Sequence, residues 1–148
     1  AIMGPSGSGK TTQAVNLARK FLRRGVRARF FNAYEITRRA MSSRAALDEF
    51  ADCDLVVLDD LFKGAPRPSS SRYDSFFAAT TELLWRRYDA RAPLIITTER
   101  GWHDFVSFDA AFAGRVLECS TRVDCGARDR RLDDQRGVRV SANDAVHA

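Results

Sequence analysis

Gly4-Pro5-Ser6-Gly7-Ser8-Gly9-Lys10-Thr11 has the spacing G-x-x-x-x-G-K-[ST], and no other stretch restricts the fold of this chain as strongly. Glycines at these positions let consecutive backbone N–H groups turn inward around a phosphate chain. A helix starting directly after the loop aims its positive end at the same point. Lys10 is placed to reach the outer phosphates and Thr11 to hold a magnesium ion, while Pro5, Ser6, Ser8 and Thr12 complete the set expected against a nucleotide. The apolar spacing Ala14, Leu17, Ala18, Phe21, Leu22 supplies the helix, and Gly25 ends it. Ahead of the loop stand only Ala1, Ile2 and Met3, where a buried strand of about five or six residues is usual. The chain therefore reads as a fragment, with a partner-binding region expected upstream.

A second signature corroborates the first. Asp54-Leu55-Val56-Val57-Leu58-Asp59-Asp60 runs four apolar residues into two carboxylates, the pattern of a fully buried parallel strand that ends at a magnesium site. Asp59 is expected beside the metal, and Asp60 where a residue that orients or deprotonates an attacking water belongs. The alternative is that the pair caps the next turn. Val26 to Phe31 reads as another strand, followed by short helices over about 34–41 and 44–51.

Residues 62–71 form a Pro/Ser-rich basic stretch expected to be a mobile loop. A long helix over about 73–88 should pack Phe76, Phe77, Thr80, Leu83, Leu84 and Tyr88 on one face. Leu94-Ile95-Ile96-Thr97-Thr98 is a further buried strand whose polar end is expected to touch an outer phosphate. A short helix over 109–117 and a half-exposed strand over 117–124 follow, and residues from about 127 to 148 read as a peripheral segment. Strands alternating with helices imply an α/β three-layer sandwich with a mainly parallel five-stranded sheet, one domain over 1–148, and ligands at the strands' carboxyl ends.

Composition narrows the class. At 148 residues, 45% hydrophobic and 29% charged, the chain suits one globular domain. It lacks the roughly 18-residue apolar run of a membrane span and the pattern of a secretion signal, so a cytoplasmic location and no membrane partner are expected. Of 24 Lys plus Arg only Lys10, Lys20 and Lys63 are lysines, and this arginine excess suits phosphate groups, nucleic acid included. Cys53, Cys119 and Cys125 have no C-x-x-C spacing and are expected as reduced thiols.

From Ile2 to about Arg131 the chain resembles the AAA+ ATPases, and among them the bacterial and phage replicative helicase loaders of the DnaC/DnaI type and the IstB-type transposition helpers. The stretches that carry the resemblance are Phe30-Phe31-Asn32-Ala33-Tyr34-Glu35, Leu47 to Leu61 with its Asp-Asp end, Leu84 to Thr98 with Arg86-Arg87-Tyr88 and Ile-Ile-Thr-Thr, and Ala113-Gly114-Arg115-Val116. The resemblance implies ATP or ADP with Mg2+ as cofactors and slow ATP hydrolysis stimulated by assembly or DNA. It implies a homo-oligomer in the ATP-bound state, with a replicative helicase and single-stranded DNA as partners. Arg115 aligns with the arginine finger that reaches a neighbour's ATP. Glu99 stands where the family has an Asn that senses the outer phosphate, a departure that implies either that Thr98 takes over that contact or that hydrolysis is weak. The C-terminal helical lid is expected to be reduced or absent.

Lys63, Arg67, Arg72, Arg128, Arg130 and Arg131 are candidate DNA contacts by charge alone. Two other functions fit parts of the pattern: a small P-loop kinase acting on a nucleoside or metabolite, and a nucleotide-binding adaptor without useful hydrolysis.

Overall fold

A computed structural model of the chain describes residues 1–126 except 68 and 109. Its elements run β1 (Ile2–Met3), α1 (Lys10–Leu22), β2 (Ala28–Asn32), α2 (Ala33–Ala40), α3 (Arg44–Ala51), β3 (Leu55–Leu61), α4 (Tyr73–Asp89), β4 (Leu94–Thr98), α5 (Trp102–Phe108), α6 (Ala110–Cys119) and β5 (Val123–Asp124). The strands form one sheet in the order β2-β3-β4-β1-β5, and every pairing is parallel. The α/β expectation of a five-stranded parallel sheet therefore holds.

Parallel strands covered on both faces need apolar residues on both, and alternate residues go to opposite sides. Leu55 and Val57 join Ile2, Ile95, Ala14 and Ala18 in a core under α1, whereas Val56 and Leu58 join Met3, Ile96, Ile36, Phe50 and Leu83 in the core on the other face. Ala14 is fully buried, and its small side chain lets α1 lie close to the sheet. Phe31 and Phe50 meet at 5.4 Å and fasten α3 to the strand edge.

α4 is held from below by an arginine. Arg87, 1% exposed, donates through Nη1 to the carbonyls of Ala51 and Cys53 and through Nη2 to those of Asp54 and Pro93. It thereby ties together the end of α3 and the entries to β3 and β4. Burial pulls its pKa down from the ordinary arginine value.

One expectation needs correction, and two features add to the sequence reading. The strand over 117–124 is confined to Val123–Asp124, because α6 continues to Cys119 and β5 pairs only with Ile2 and Met3. A helix unforeseen in the sequence, α5, fills 102–108, its start held by the Gly101 N–H donating to Asp104 at 2.8 Å. The 62–71 stretch is anchored at its beginning, where the Phe62 ring stacks on Phe77 and meets Phe105 edge-on.

Cys53 and Cys125 are buried free thiols. The Cys119 side chain, the segment 127–148 and the candidate cations Arg128, Arg130 and Arg131 lie outside the described residues, as does any lid there. Among the described residues no helix is long and apolar enough to cross a membrane.

Candidate nucleotide-binding site

The loop between β1 and α1 lies at the carboxyl edge of the sheet, its first N–H, on Gly4, donating to the Thr98 carbonyl at 3.3 Å. Gly4, Gly7 and Gly9 have φ of 152°, 75° and 87°, a backbone that other residues rarely adopt. A Cβ on Gly4 would also stand 2.4 Å from the Cys125 carbonyl oxygen and 3.0 Å from Ser8 Oγ, so no side chain fits there. Lys10 Nζ is folded over the loop and donates to the Pro5 carbonyl at 2.7 Å. Ser8 Oγ is buried with no hydrogen-bond partner, one of two such side-chain atoms among the described residues. A buried hydroxyl left unpaired costs about 1–3 kcal/mol. An unsatisfied donor in a glycine cradle, beside a lysine and a helix N-terminus, fits the phosphates of a nucleotide.

The carboxylates approach from β3. Asp59 is buried and accepts from Thr11 Oγ1 at 2.9 and 3.2 Å and from Thr97 Oγ1 at 2.6 Å. Thr97 Oγ1 in turn accepts from the Asp60 N–H at 2.9 Å, so β4 sets the height of both acidic residues. Among the described residues no three His, Cys, Asp or Glu side chains gather as a metal cluster. Magnesium needs no such cluster. It takes one or two protein oxygens and completes its shell with phosphate and water, and the Thr11–Asp59 pair is an all-oxygen donor set of that kind.

Asp60 sits at φ 59°, and its Oδ2 accepts from Lys63 Nζ at 3.0 Å. The same ammonium lies 3.5 Å from Glu99 Oε1. Hydrogen bonding to Asp60 pushes the Lys63 pKa up, with burial opposing and Glu99 adding to the rise.

Two sequence candidates stand elsewhere. The Thr98 hydroxyl is fully buried, donating to the Leu61 carbonyl at 3.0 Å and accepting from the Arg100 N–H at 3.0 Å. Both bonds of the Thr98 hydroxyl are thus structural ones here, and Thr97 is the threonine that joins the acidic pair. Arg115 stacks over the Trp85 ring at 4.2 Å and lies 5.5 Å from that of Tyr88. These three residues line a cleft with Arg91, Pro93 and Leu94 at the entry of β4, the edge of the sheet opposite the phosphate loop. Arg115 therefore faces away from the nucleotide site of its own chain.

Thr97 was legible as a polar strand end, but its bond to Asp59 was not. The pairing of Lys63 with Asp60 had no sequence signal beyond an i, i+3 spacing.

The sequence profile of the IstB-like ATP binding protein family matches residues 1–127. No curated protein sequence matches significantly. Among solved structures, the DnaC helicase loader superposes with a TM-score of 0.70 at 23% identity, covering 84% of this chain and 76% of that one. DnaI gives 0.66 at 20% identity over 87% and 70% of the two chains. AMPPCP-bound DnaA from Aquifex aeolicus gives 0.65 at 17% identity, covering 84% of this chain but only 39% of DnaA. At these identities the likeness is one of fold.

Proposed function

The chain belongs to the family of IstB-like ATP-binding proteins, and from that premise we propose that it hydrolyses ATP and couples its nucleotide state to loading a replicative helicase on DNA. The observation that carries the reading is the Thr11–Asp59–Thr97 chain of hydrogen bonds, which draws a phosphate loop, a strand-end carboxylate and a neighbouring strand to one point. In this reading Gly4 to Thr12 hold the triphosphate, with Lys10 moving from the Pro5 carbonyl to the outer phosphates. Thr11 and Asp59 would hold a magnesium ion, whose chemistry would be to neutralise phosphate charge. Asp60 accepts a proton from water as its oxygen bonds to the terminal phosphorus and the bond from that phosphorus to the ADP oxygen breaks. Arg115 acts on the ATP of a neighbouring copy in a homo-oligomer that forms with ATP.

The likeness of fold to the DnaC helicase loader supports a helicase as partner, and the likeness to a DnaA structure bound to single-stranded DNA supports that strand as the nucleic acid. Arg67 and Arg72, in the loop between β3 and α4, are the cations that would contact DNA, whereas Lys63 is paired with Asp60 and Glu99. The family match equally favours a second reading, in which the same ATPase core serves a transposition machinery on duplex DNA. A small-molecule kinase is disfavoured, because Asp60 beside the acidic strand end suits activation of water.

The test is steady-state phosphate release measured alone, with single-stranded DNA, with duplex DNA and with nucleosides. Release stimulated by single-stranded DNA supports the loader reading and stimulation by duplex DNA the transposition reading. Transfer of phosphate to a nucleoside would contradict both.

A further inference from the structure

We propose that Lys63 is a positioning residue for hydrolysis: held between Asp60 and Glu99, its ammonium fixes the Asp60 carboxylate in the orientation that receives a proton from the attacking water. The inference deepens the hydrolytic reading above and rests on it.

The local backbone is shaped to make this contact. Asp60, Phe62 and Gly64 have φ of 59°, 68° and 72°, three left-handed residues in five, and two of them carry side chains. Aspartate enters that region more readily than most side chains, but a bulky residue such as Phe62 holds it only where its surroundings force it, and such strain gathers at functional sites. Here the forces are visible. The Phe62 ring is stacked on Phe77 at 6.0 Å with a 9° interplanar angle and meets Phe105 at 5.3 Å nearly edge-on. The Lys63 N–H closes the turn on the Asp60 carbonyl at 3.0 Å, and the Asp60 N–H is tied to Thr97. The lysine that follows Phe62 is thereby turned back onto the carboxylate three residues before it.

Stability does not explain the arrangement. The Lys63 side chain is 54% exposed and that of Asp60 22%, and ion pairs this open to solvent contribute little to folding. What the pair does supply is geometry. One oxygen of Asp60, Oδ2, is taken by the ammonium, which leaves Oδ1 to accept from water. A base held by a third group is the recurring arrangement at hydrolytic sites. Glu99 Oε1, at 3.5 Å, is a second carboxylate on the same ammonium, so a swing of the lysine to solvent would lose both. The departure at Glu99 thus has a use: it anchors the orienting cation. Lys63 stays protonated throughout. The proton leaving water goes to Asp60, and the new bond forms between the water oxygen and phosphorus.

The experiment is steady-state ATP hydrolysis together with equilibrium binding of a fluorescent ATP analogue, for the wild type, Lys63→Met, Lys63→Arg, Glu99→Gln, Asp60→Asn and the Lys63→Met/Asp60→Asn double variant. Loss of a general base costs roughly a hundredfold or more, and loss of its orienter is expected to cost less. For Lys63→Met we expect kcat to fall about tenfold with KM and analogue affinity within about twofold, because positioning acts on the chemical step. Lys63→Arg should retain most of kcat, and Glu99→Gln should show a smaller fall of the same kind. In the Asp60→Asn background Lys63→Met should cause no further loss, a result that a general structural role would not produce. Unchanged or raised kcat in Lys63→Met, or additive losses in the double variant, would overturn the inference while the hydrolytic reading stands. A wild-type protein that binds the analogue but releases no phosphate under any condition would overturn both.

Discussion

The Thr11 hydroxyl donates to both oxygens of the Asp59 carboxylate, at 2.9 and 3.2 Å, across 48 positions of sequence. The bond locks the first turn of α1 to the end of β3 and gathers an all-oxygen donor set that would hold a divalent cation. Asp59→Ala and Thr11→Ala are each expected to weaken magnesium-dependent nucleotide binding, while binding without magnesium changes little. Titration of ATP with magnesium and with EDTA checks this, and equal losses in both conditions would mean that the pair only braces the fold.

Asp60, one residue on, is expected to separate binding from chemistry. Its backbone N–H is used by Thr97, which an Asn at position 60 preserves, whereas the carboxylate needed to accept a proton is lost. Asp60→Asn should leave ATP affinity nearly intact and slow hydrolysis on the order of a hundredfold or more. Single-turnover kinetics at saturating ATP measure the step itself.

Motifs in which short-range sequence dictates backbone were readable directly. The phosphate loop, the strand 55–58, the strand 94–98 and the helices of the first hundred residues are where the glycine spacing and apolar periods place them. The carboxylates Asp59 and Asp60 likewise fall at the strand end. What escaped depends on contacts between distant residues. Thr97 and Thr98 are adjacent and chemically identical, and only the sheet register, with Thr98 opposite Leu61, decides which hydroxyl meets Asp59. Helix α5 lacks a Ser, Thr, Asp or Asn at its start, and its sign was the reciprocal half of a capping box, Asp104 reaching back to Gly101. The Lys63–Asp60 contact requires a left-handed backbone at Asp60 and Phe62, which composition does not announce.

Arg87 is expected to carry fold rather than activity. Its four carbonyl acceptors sit at the entries of β3 and β4 and the end of α3, and methionine would leave them buried and unpaired. Arg87→Met should lower unfolding free energy by about 3 kcal/mol. Urea denaturation would show a lower midpoint with an unchanged slope.

Arg115 is expected to act only between copies, since it stacks on Trp85 at the edge opposite its own phosphate loop. Arg115→Ala should bind ATP normally and lose roughly a thousandfold of stimulated hydrolysis, as for arginine fingers in phosphoryl transfer. Mixing it with Lys10→Ala should restore part of the activity, because intact Lys10 sites then meet intact Arg115 donors. A mixture that stays inactive while wild-type copies associate would assign Arg115 to its own chain's structure.

The central claim is that a nucleotide occupies the Gly4–Thr11 cradle, and the most direct test is calorimetric titration of wild type and Lys10→Ala with ATP and magnesium, paired with phosphate release. Lys10 Nζ rests on the Pro5 carbonyl, within the loop that would hold the phosphates. The account predicts one saturable site in the wild type and loss of binding or of turnover in Lys10→Ala. Unchanged affinity and unchanged turnover in that variant would contradict it.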